Sequence, residues 1–232
     1  PTSLNFKEIM GVGSVRTFYY RDRSPTTVLT KETLNEEFLK NTKILHITGV
    51  FPAVDKTKNI ELIRHAIIEA KKHGVMISCD PNIRLKLWGE DEARDVLRSF
   101  LPYVDILVTG IEEAELLFGT TDTNEINEHC KQFGITHLAI KKGEEGSIGY
   151  VDGEYVEAPA VKAKKVVDTV GAGDGFDAGF IYGILQNWPL DKALHFANII
   201  GSMVVSVTGD NEGLPYLEDV LVHLGEKERV ER

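Results

Sequence analysis

From Lys43 onward, short apolar runs alternate with longer stretches in which apolar residues recur every three or four positions. Ile44-Leu45-His46-Ile47-Thr48 is an apolar run ending at Gly49 and reads as a buried strand. Residues 56–73 follow with Ile60, Ile63, Ala66, Ile67 and Ala70 on one helical stripe. Val75 to Asp80, Asp105 to Thr109 and His137 to Lys141 repeat the strand pattern, and residues 90–101, 112–118 and 124–133 repeat the helical one. Ser147 to Val151 and Tyr155 to Ala160, joined through Asp152-Gly153, predict a hairpin. Residues 175–187, 190–207 and 215–224 predict helices. Before this rhythm, residues 14–30 read as extended, with Ser24-Pro25 as a break. Continuous apolar strands alternating with helices predict a three-layer α/β/α fold with a mainly parallel central sheet. Ligands of such folds bind beyond the carboxyl ends of the strands. Here those ends are Gly49, Asp80-Pro81-Asn82, Gly110 and Lys142-Gly143.

The chain has 232 residues, 42% hydrophobic and 27% charged, as expected of a globular protein with a sizeable core. Its formal net charge of −10 argues against nucleic acid or an anionic membrane as the main partner. No apolar run reaches the ~18 residues that span a bilayer. Cys79 and Cys130 are too few for a disulfide scaffold and read as reduced core thiols, which fits a cytoplasmic setting, although no Met or signal peptide stands at the start. His46, His73, His137 and His195 lack partner spacing and read as structural. The charged tail from Gly225 reads as a solvated end.

The most informative stretch is Val167-Asp168-Thr169-Val170-Gly171-Ala172-Gly173-Asp174-Gly175-Phe176. Its Gly-Ala-Gly turn has no large side chain, so backbone amides can approach a ligand closely. A helix opening there would aim unpaired N–H groups and its positive dipole end at the same point, which suits a phosphate. Asp174 is then out of place unless it accepts the proton of an attacking hydroxyl. A Gly-rich loop with Asp174 as a helix N-cap fits the same residues. Gly175, Gly179 and Gly183 share one helix face, at a cost of ~1 kcal/mol each against Ala, which implies close approach to a neighbour or ligand. The stretch is neither a Walker loop nor a dinucleotide fingerprint.

Three other segments fall at or near the predicted ligand end. Lys141-Lys142-Gly143-Glu144-Glu145-Gly146 suits a tight turn beside a nucleotide, or a plain turn. Arg84 would project from a strand end with a planar charge suited to phosphate. Tyr19 and Arg21 share one face of an extended strand, an aromatic and a guanidinium that together suit a sugar acid. An exposed β-face reads equally well.

The run D-T-x-G-A-G-D-x-F resembles the second signature of the PfkB (ribokinase-like) sugar kinases. That resemblance implies an ATP- and Mg²⁺-dependent kinase, with Gly171, Ala172 and Gly173 as an anion hole and Asp174 as the base. It assigns nucleotide contacts to Asn82, Arg84, Lys141, Lys142, Gly143, Glu144, Glu145 and Gly146, and places Asn198 near adenine. Glu113 would act on Mg²⁺ through water, from an N-x-x-E motif in which Gly110 replaces the Asn. Asp168 would serve a monovalent cation, K⁺. The segment Asp80-Pro81-Asn82-Ile83-Arg84-Leu85-Lys86-Leu87-Trp88 resembles that of 2-keto-3-deoxygluconate kinases and fructokinases, and Gly209 to Tyr216 is similar to the C-terminal turn of the former. In the former group, Tyr19, Tyr20, Arg21 and Arg84 would contact the sugar acid, and Asn5 falls where relatives carry an aromatic contact. The implied reaction is phosphorylation of the primary hydroxyl of 2-keto-3-deoxygluconate. A fructokinase is the alternative within the family, and a non-catalytic sugar-acid-binding protein the alternative outside it. The resemblance further implies one ribokinase-like domain over 1–232, a remnant of a β lid at 14–30, roughly the first quarter of a complete member lying before Pro1, and a homo-oligomer.

Overall fold

A computed structural model describes residues 2–9, 15–20, 25–209 and 211–228. Strands β1 (Leu4–Ile9) and β2 (Val15–Tyr20) pair antiparallel as a separate two-stranded sheet. The chain then passes through two 3₁₀ turns, Pro25–Val28 and Lys31–Thr33, and the short helix α1 (Glu36–Lys40). Of the segment 14–30 expected to be extended, the described residues form strand over Val15–Tyr20 and 3₁₀ turn at Pro25–Val28. The main sheet follows: β3 (Ile44–Thr48), α2 (Val50–Val54), α3 (Lys56–Lys72), β4 (Met76–Asp80), α4 (Glu90–Phe100), β5 (Ile106–Gly110), α5 (Ile111–Phe118), α6 (Thr123–Phe133) and β6 (His137–Lys141). A hairpin, β7 (Ser147–Val151) and β8 (Glu154–Ala158), turns at Asp152 (φ 50°) and Gly153 (φ 86°), the two positive φ values of a type I′ turn. Helices α7 (Ala172–Leu185), α8 (Leu190–Val204) and α9 (Leu217–His223) complete it. Helices α1 and α2, five residues each, are too short to show a period and were not expected.

Among the described residues the central sheet has six strands in the order β3-β4-β5-β6-β7-β8, parallel through β6 and antiparallel beyond it. Right-handed crossovers that always step the same way along a sheet put every crossover helix on one face. Accordingly α3 to α6 pack on the side of Ile77, Cys79, Leu107, Leu138 and Ile140. The opposite face, carrying Ile106, Val108 and Ala139, is covered by α7 and α8. Strand alternation therefore also turns Asp80 and Lys141, two residues along from Ser78 and Ala139, toward α7.

Gly175, Gly179 and Gly183 of α7 serve that packing. A Cβ at Gly183 would lie 2.6 Å from Ala193 Cβ, and one at Gly179 would lie 2.9 Å from Ala197 Cα. The close neighbour is α8, and the helices approach too tightly for any side chain at these positions. Phe180, fully buried beside them, contributes roughly 1.5–3 kcal/mol. Cys79 and Cys130 are buried free thiols as expected, and burial pushes Cys130 up to about 12. No helix among the described residues is long and apolar enough to cross a membrane.

Candidate active site

Helix α7 begins at Ala172, so the Gly-Ala-Gly turn is the first turn of the helix itself, earlier than the start expected at residue 175. Gly171 is the N-cap, with φ 82°, a left-handed conformation that a Cβ would strain. The amides of Gly173 and Asp174 have no intrahelical acceptor and open outward at the positive end of the helix. Asp174 stands in the first turn, exposed, and is not the cap. The N-cap alternative is thus excluded by the position of Gly171.

The preceding segment is tied down from two sides. The N–H groups of Val167 and Asp168 donate to Val205 O at 2.7 and 3.3 Å, fixing them to the end of α8. Asp168 Oδ1 accepts from Val170 N at 3.1 Å, and its Oδ2 accepts from Lys7 Nζ of β1 at 2.9 Å. The carboxylate assigned to a monovalent cation therefore carries an internal ammonium. This Lys7 bond, foremost, holds the Asp168 carboxyl below its ordinary pKa.

Beneath α7, the ends of β4 and β6 bring three charged groups together. Lys141 Nζ lies 3.0 Å from Asp177 Oδ1 and 3.4 Å from Asp80 Oδ2. Both acids are almost fully buried. A Cβ built on Gly173 would lie 3.5 Å from Lys141 Nζ, so this ammonium sits directly behind the anion turn. Burial opposes the charge of Lys141, but Asp177 and Asp80 outweigh it and raise its pKa.

Glu113 accepts from Gly110 N (2.9 Å) and Ile83 N (2.8 Å), one bond to each oxygen. It clamps the loop after β4 to the start of α5. Asn82, at φ 37°, donates its N–H to Asp80 Oδ1 at 3.1 Å. Gly49 is required there by close approach: a Cβ would strike Pro81 O at 1.9 Å. Arg84 follows this loop and is exposed at the strand ends.

In the turn after β6, Lys142 pairs with Glu145 at 2.6 Å, while Glu144 is exposed. Gly143 has φ 57°, whereas at Gly146 a Cβ would meet Ala158 O at 2.2 Å. Gly146 is therefore demanded by the neighbouring backbone. Asn198 is buried and donates to Ala158 O and Pro159 O, both at 3.2 Å, fixing the same segment to α8. A groove of ≈ 490 Å³ opens beside this segment, lined by Lys162, Lys164, Ser202 and Ser206 among others. Gly201, one residue before Ser202 of this lining, approaches the start of α7: a Cβ there would lie 3.6 Å from Ala172 O.

The hairpin register sorts the expected sugar contacts. Asn5 pairs with Tyr19 and Lys7 with Thr17, on the face that reaches Asp168. Leu4 pairs with Tyr20 and Phe6 with Phe18, on the opposite face, where Phe6 and Tyr20 meet edge-on at 5.7 Å. Tyr20 is thus turned away from the anion turn, while Asn5 and Tyr19 are on its side. Arg21 lies outside the described residues. Sequence reasoning did not single out Lys7, Asp177 or the side chain of Asp80 as site residues. Strand alternation in β4 and β6 was the available signal for Asp80 and Lys141, and Asp177 follows Asp174 by one helical turn.

The chain matches the pfkB family of carbohydrate kinases over residues 1–217. It belongs to that family. Sugar kinase is the class of activity that membership assigns. The 2-dehydro-3-deoxygluconokinase of Bacillus subtilis (strain 168) is 33% identical over 99% of the chain, which spans 71% of that relative. A 5-dehydro-2-deoxygluconokinase of Geobacillus thermodenitrificans (strain NG80-2) is 27% identical over 94% of the chain and 66% of its own length. The crystal structure of a putative ribokinase II from E. coli in complex with ATP and Mg²⁺ superimposes with a TM-score of 0.83 at 24% identity, covering 93% of this chain and 69% of the other. The fold is thus ribokinase-like.

Proposed function

We propose that this pfkB-family chain transfers the γ-phosphoryl group of ATP to the primary hydroxyl of 2-keto-3-deoxygluconate, the sugar acid named in its Bacillus relative. The observation that carries the reading is the open first turn of α7, with Gly171 at φ 82° and Asp174 exposed within it. Asp174 accepts the hydroxyl proton, and the amides of Gly173 and Asp174 meet the charge that spreads over the moving phosphoryl oxygens. Positioning contributes more than base strength, because an ordinary Asp, near pKa 3.9, is a weak base.

The groove lined by Lys162 and Ser202 takes the nucleotide base, with the phosphates running toward Ala172. Among the described residues no cluster of three or more acids, His or Cys could cage a metal, and both Glu113 oxygens already accept backbone N–H bonds. This suits a Mg²⁺ that arrives with the nucleotide and keeps most of its waters, with Glu113 reaching it through one of them. Mg²⁺ supplies charge neutralisation on the phosphates when bound. The chain forms one ribokinase-like domain over 1–232, in which the β1–β2 hairpin is part of a lid whose Asn5–Tyr19 face closes over the sugar acid.

A second reading, 5-dehydro-2-deoxygluconate as substrate, is favoured by the Geobacillus relative. Both candidates are deoxy-keto sugar acids, so the carboxylate alone does not separate them. A coupled ADP-release assay across the two acids, fructose and ribose decides. The expected result is the highest kcat/KM on 2-keto-3-deoxygluconate. Turnover of its isomer alone would transfer the assignment. Turnover of fructose alone would make the chain a fructokinase, and binding without turnover of any sugar would leave a binding protein.

A further inference from the structure

Behind the anion turn, two buried carboxyls share one ammonium. Asp177 lies on α7, one helical turn after Asp174. Asp80 ends β4, and Lys141 ends β6. Asp177 Oδ1 accepts from Lys141, but Asp177 Oδ2 is buried and, among the described residues, no N–H or O–H group reaches it. The buried Asp80 carboxyl shares the same ammonium: Lys141 Nζ lies 3.0 Å from Asp177 Oδ1 and 3.4 Å from Asp80 Oδ2. Two buried carboxyls on one ammonium leave a buried negative charge uncompensated unless one of them carries a proton. Asp80 accepts from both Asn82 N and Lys141 Nζ, so it keeps the negative charge.

We propose that Asp177 is a neutral carboxylic acid that donates to Asp80, and that this pair is the positioning device that holds the Lys141 ammonium behind the anion turn. The functional half of the proposal rests on the kinase reading above. With one proton on Asp177, the cluster is a single ion pair, Asp80 with Lys141. The ammonium is then not claimed by two anions, and its field falls on the amides of Gly173 and Asp174, where phosphate binds. Burial, foremost, drives the Asp177 pKa well above the ordinary carboxylate range, with Asp80 adding to it and Lys141 opposing. The charged and titratable groups that face the cluster are Asp80 and Cys79 from β4, Lys141 from β6, His46 from β3, Glu113 from α5 and Asp174 on α7 itself.

The sign of the pH dependence follows. A carboxyl whose folded pKa is raised contributes stability in full below its unfolded pKa, near 3.9, and that contribution is lost as pH rises through the folded pKa. Asp177→Asn removes this loss and keeps an N–H donor for Asp80. Its melting temperature is expected to exceed that of the wild type by about 8–16 °C at pH 7, a gap that closes toward pH 4. The infrared band of a protonated carboxyl is expected in the wild type at pH 7 and is absent from Asp177→Asn. In turnover, Asp177→Leu should lose at least about tenfold in kcat/KM for ATP, a loss that Asp177→Asn largely restores. The wild type should show an alkaline fall in kcat/KM that Asp177→Asn lacks. A wild type without the protonated-carboxyl band, or an Asp177→Asn equally destabilised at every pH, would overturn the proposal. If no sugar is turned over, the kinase reading fails, and the infrared and melting measurements still judge the protonation state.

Discussion

Lys7 Nζ of the β1–β2 hairpin lies 2.9 Å from Asp168 Oδ2, four residues before the helix that opens the anion turn. Residues 161 apart in sequence are thereby joined through side chains that are both largely shielded from water. An isolated two-stranded sheet is marginal in water, so one buried ion pair matters more here than on an ordinary surface. Lys7→Met is expected to loosen the hairpin and raise KM for the sugar about tenfold, the equivalent of ~1.4 kcal/mol, with a smaller change in kcat. Because Lys7 holds the Asp168 pKa down, the link is fully present above about pH 3.9 and is lost as pH falls through the lowered value. Protease protection of the hairpin should accordingly be flat from pH 8 to 5. A hairpin equally protected in Lys7→Met would show that the pair holds nothing.

Asp174→Asn tests the proposed base apart from the fold. The side chain is exposed and caps nothing, so the fold should not respond. Turnover is expected to fall by about 10²–10⁴, the usual worth of a positioned general base, while ATP affinity changes little. Calorimetric titration with ATP and single-turnover kinetics measure the two halves. Near-wild-type turnover removes the base assignment.

Two glycines of the anion turn should respond differently to the same added methyl. Gly171→Ala forces a side chain onto φ 82° and is expected to cost roughly 1–2 kcal/mol of stability. Gly173 is helical, and its added Cβ meets nothing closer than Lys141 Nζ at 3.5 Å, so Gly173→Ala should fold normally. Its methyl would nonetheless stand among the amides proposed to receive phosphate. Weakened ATP binding at unchanged melting temperature is the expected outcome. Unchanged ATP affinity would show that phosphate does not sit on this turn.

Gly183→Ala tests the α7–α8 contact against helix propensity. Propensity alone favours Ala by ~1 kcal/mol. Contact with Ala193 Cβ at 2.6 Å opposes it, and overpacking of a tight core costs about 1–3 kcal/mol. A net loss of stability in thermal melts is expected, and a stabilised variant would mean that α8 yields.

The sheet and its helices were legible because each buried strand is a short apolar run and each crossover helix keeps one stripe, as with Ile63, Ile67 and Ala70 facing the core in α3. The glycine-rich start of α7 was legible because its N-cap takes the left-handed conformation that favours glycine, φ 82° at Gly171. Two kinds of feature were not. The glycine spacing in α7 could not tell a ligand from α8, because only the neighbouring helix supplies Ala193 and Ala197. The Lys7–Asp168 and Lys141–Asp177 pairs join residues 161 and 36 apart, and no local pattern encodes such partners.

The hairpin register separates two residues that the sequence assigns together to the sugar, Tyr19 and Tyr20. Adjacent strand residues point to opposite faces. Tyr19 pairs with Asn5 on the face from which Lys7 reaches Asp168, whereas Tyr20 pairs with Leu4 on the face of Phe6 and Phe18. Tyr19→Ala should therefore raise KM for the sugar acid about tenfold or more, in line with losing one hydrogen bond and a ring face. Among the described residues Tyr20→Ala removes an edge-on ring contact with Phe6, and it should leave KM within about threefold while lowering hairpin stability slightly. Both variants are to be measured on 2-keto-3-deoxygluconate and on 5-dehydro-2-deoxygluconate. A larger effect from Tyr20 than from Tyr19 would mean that the hairpin presents its other face to the substrate, and the lid assignment for Asn5 and Tyr19 would fall with it.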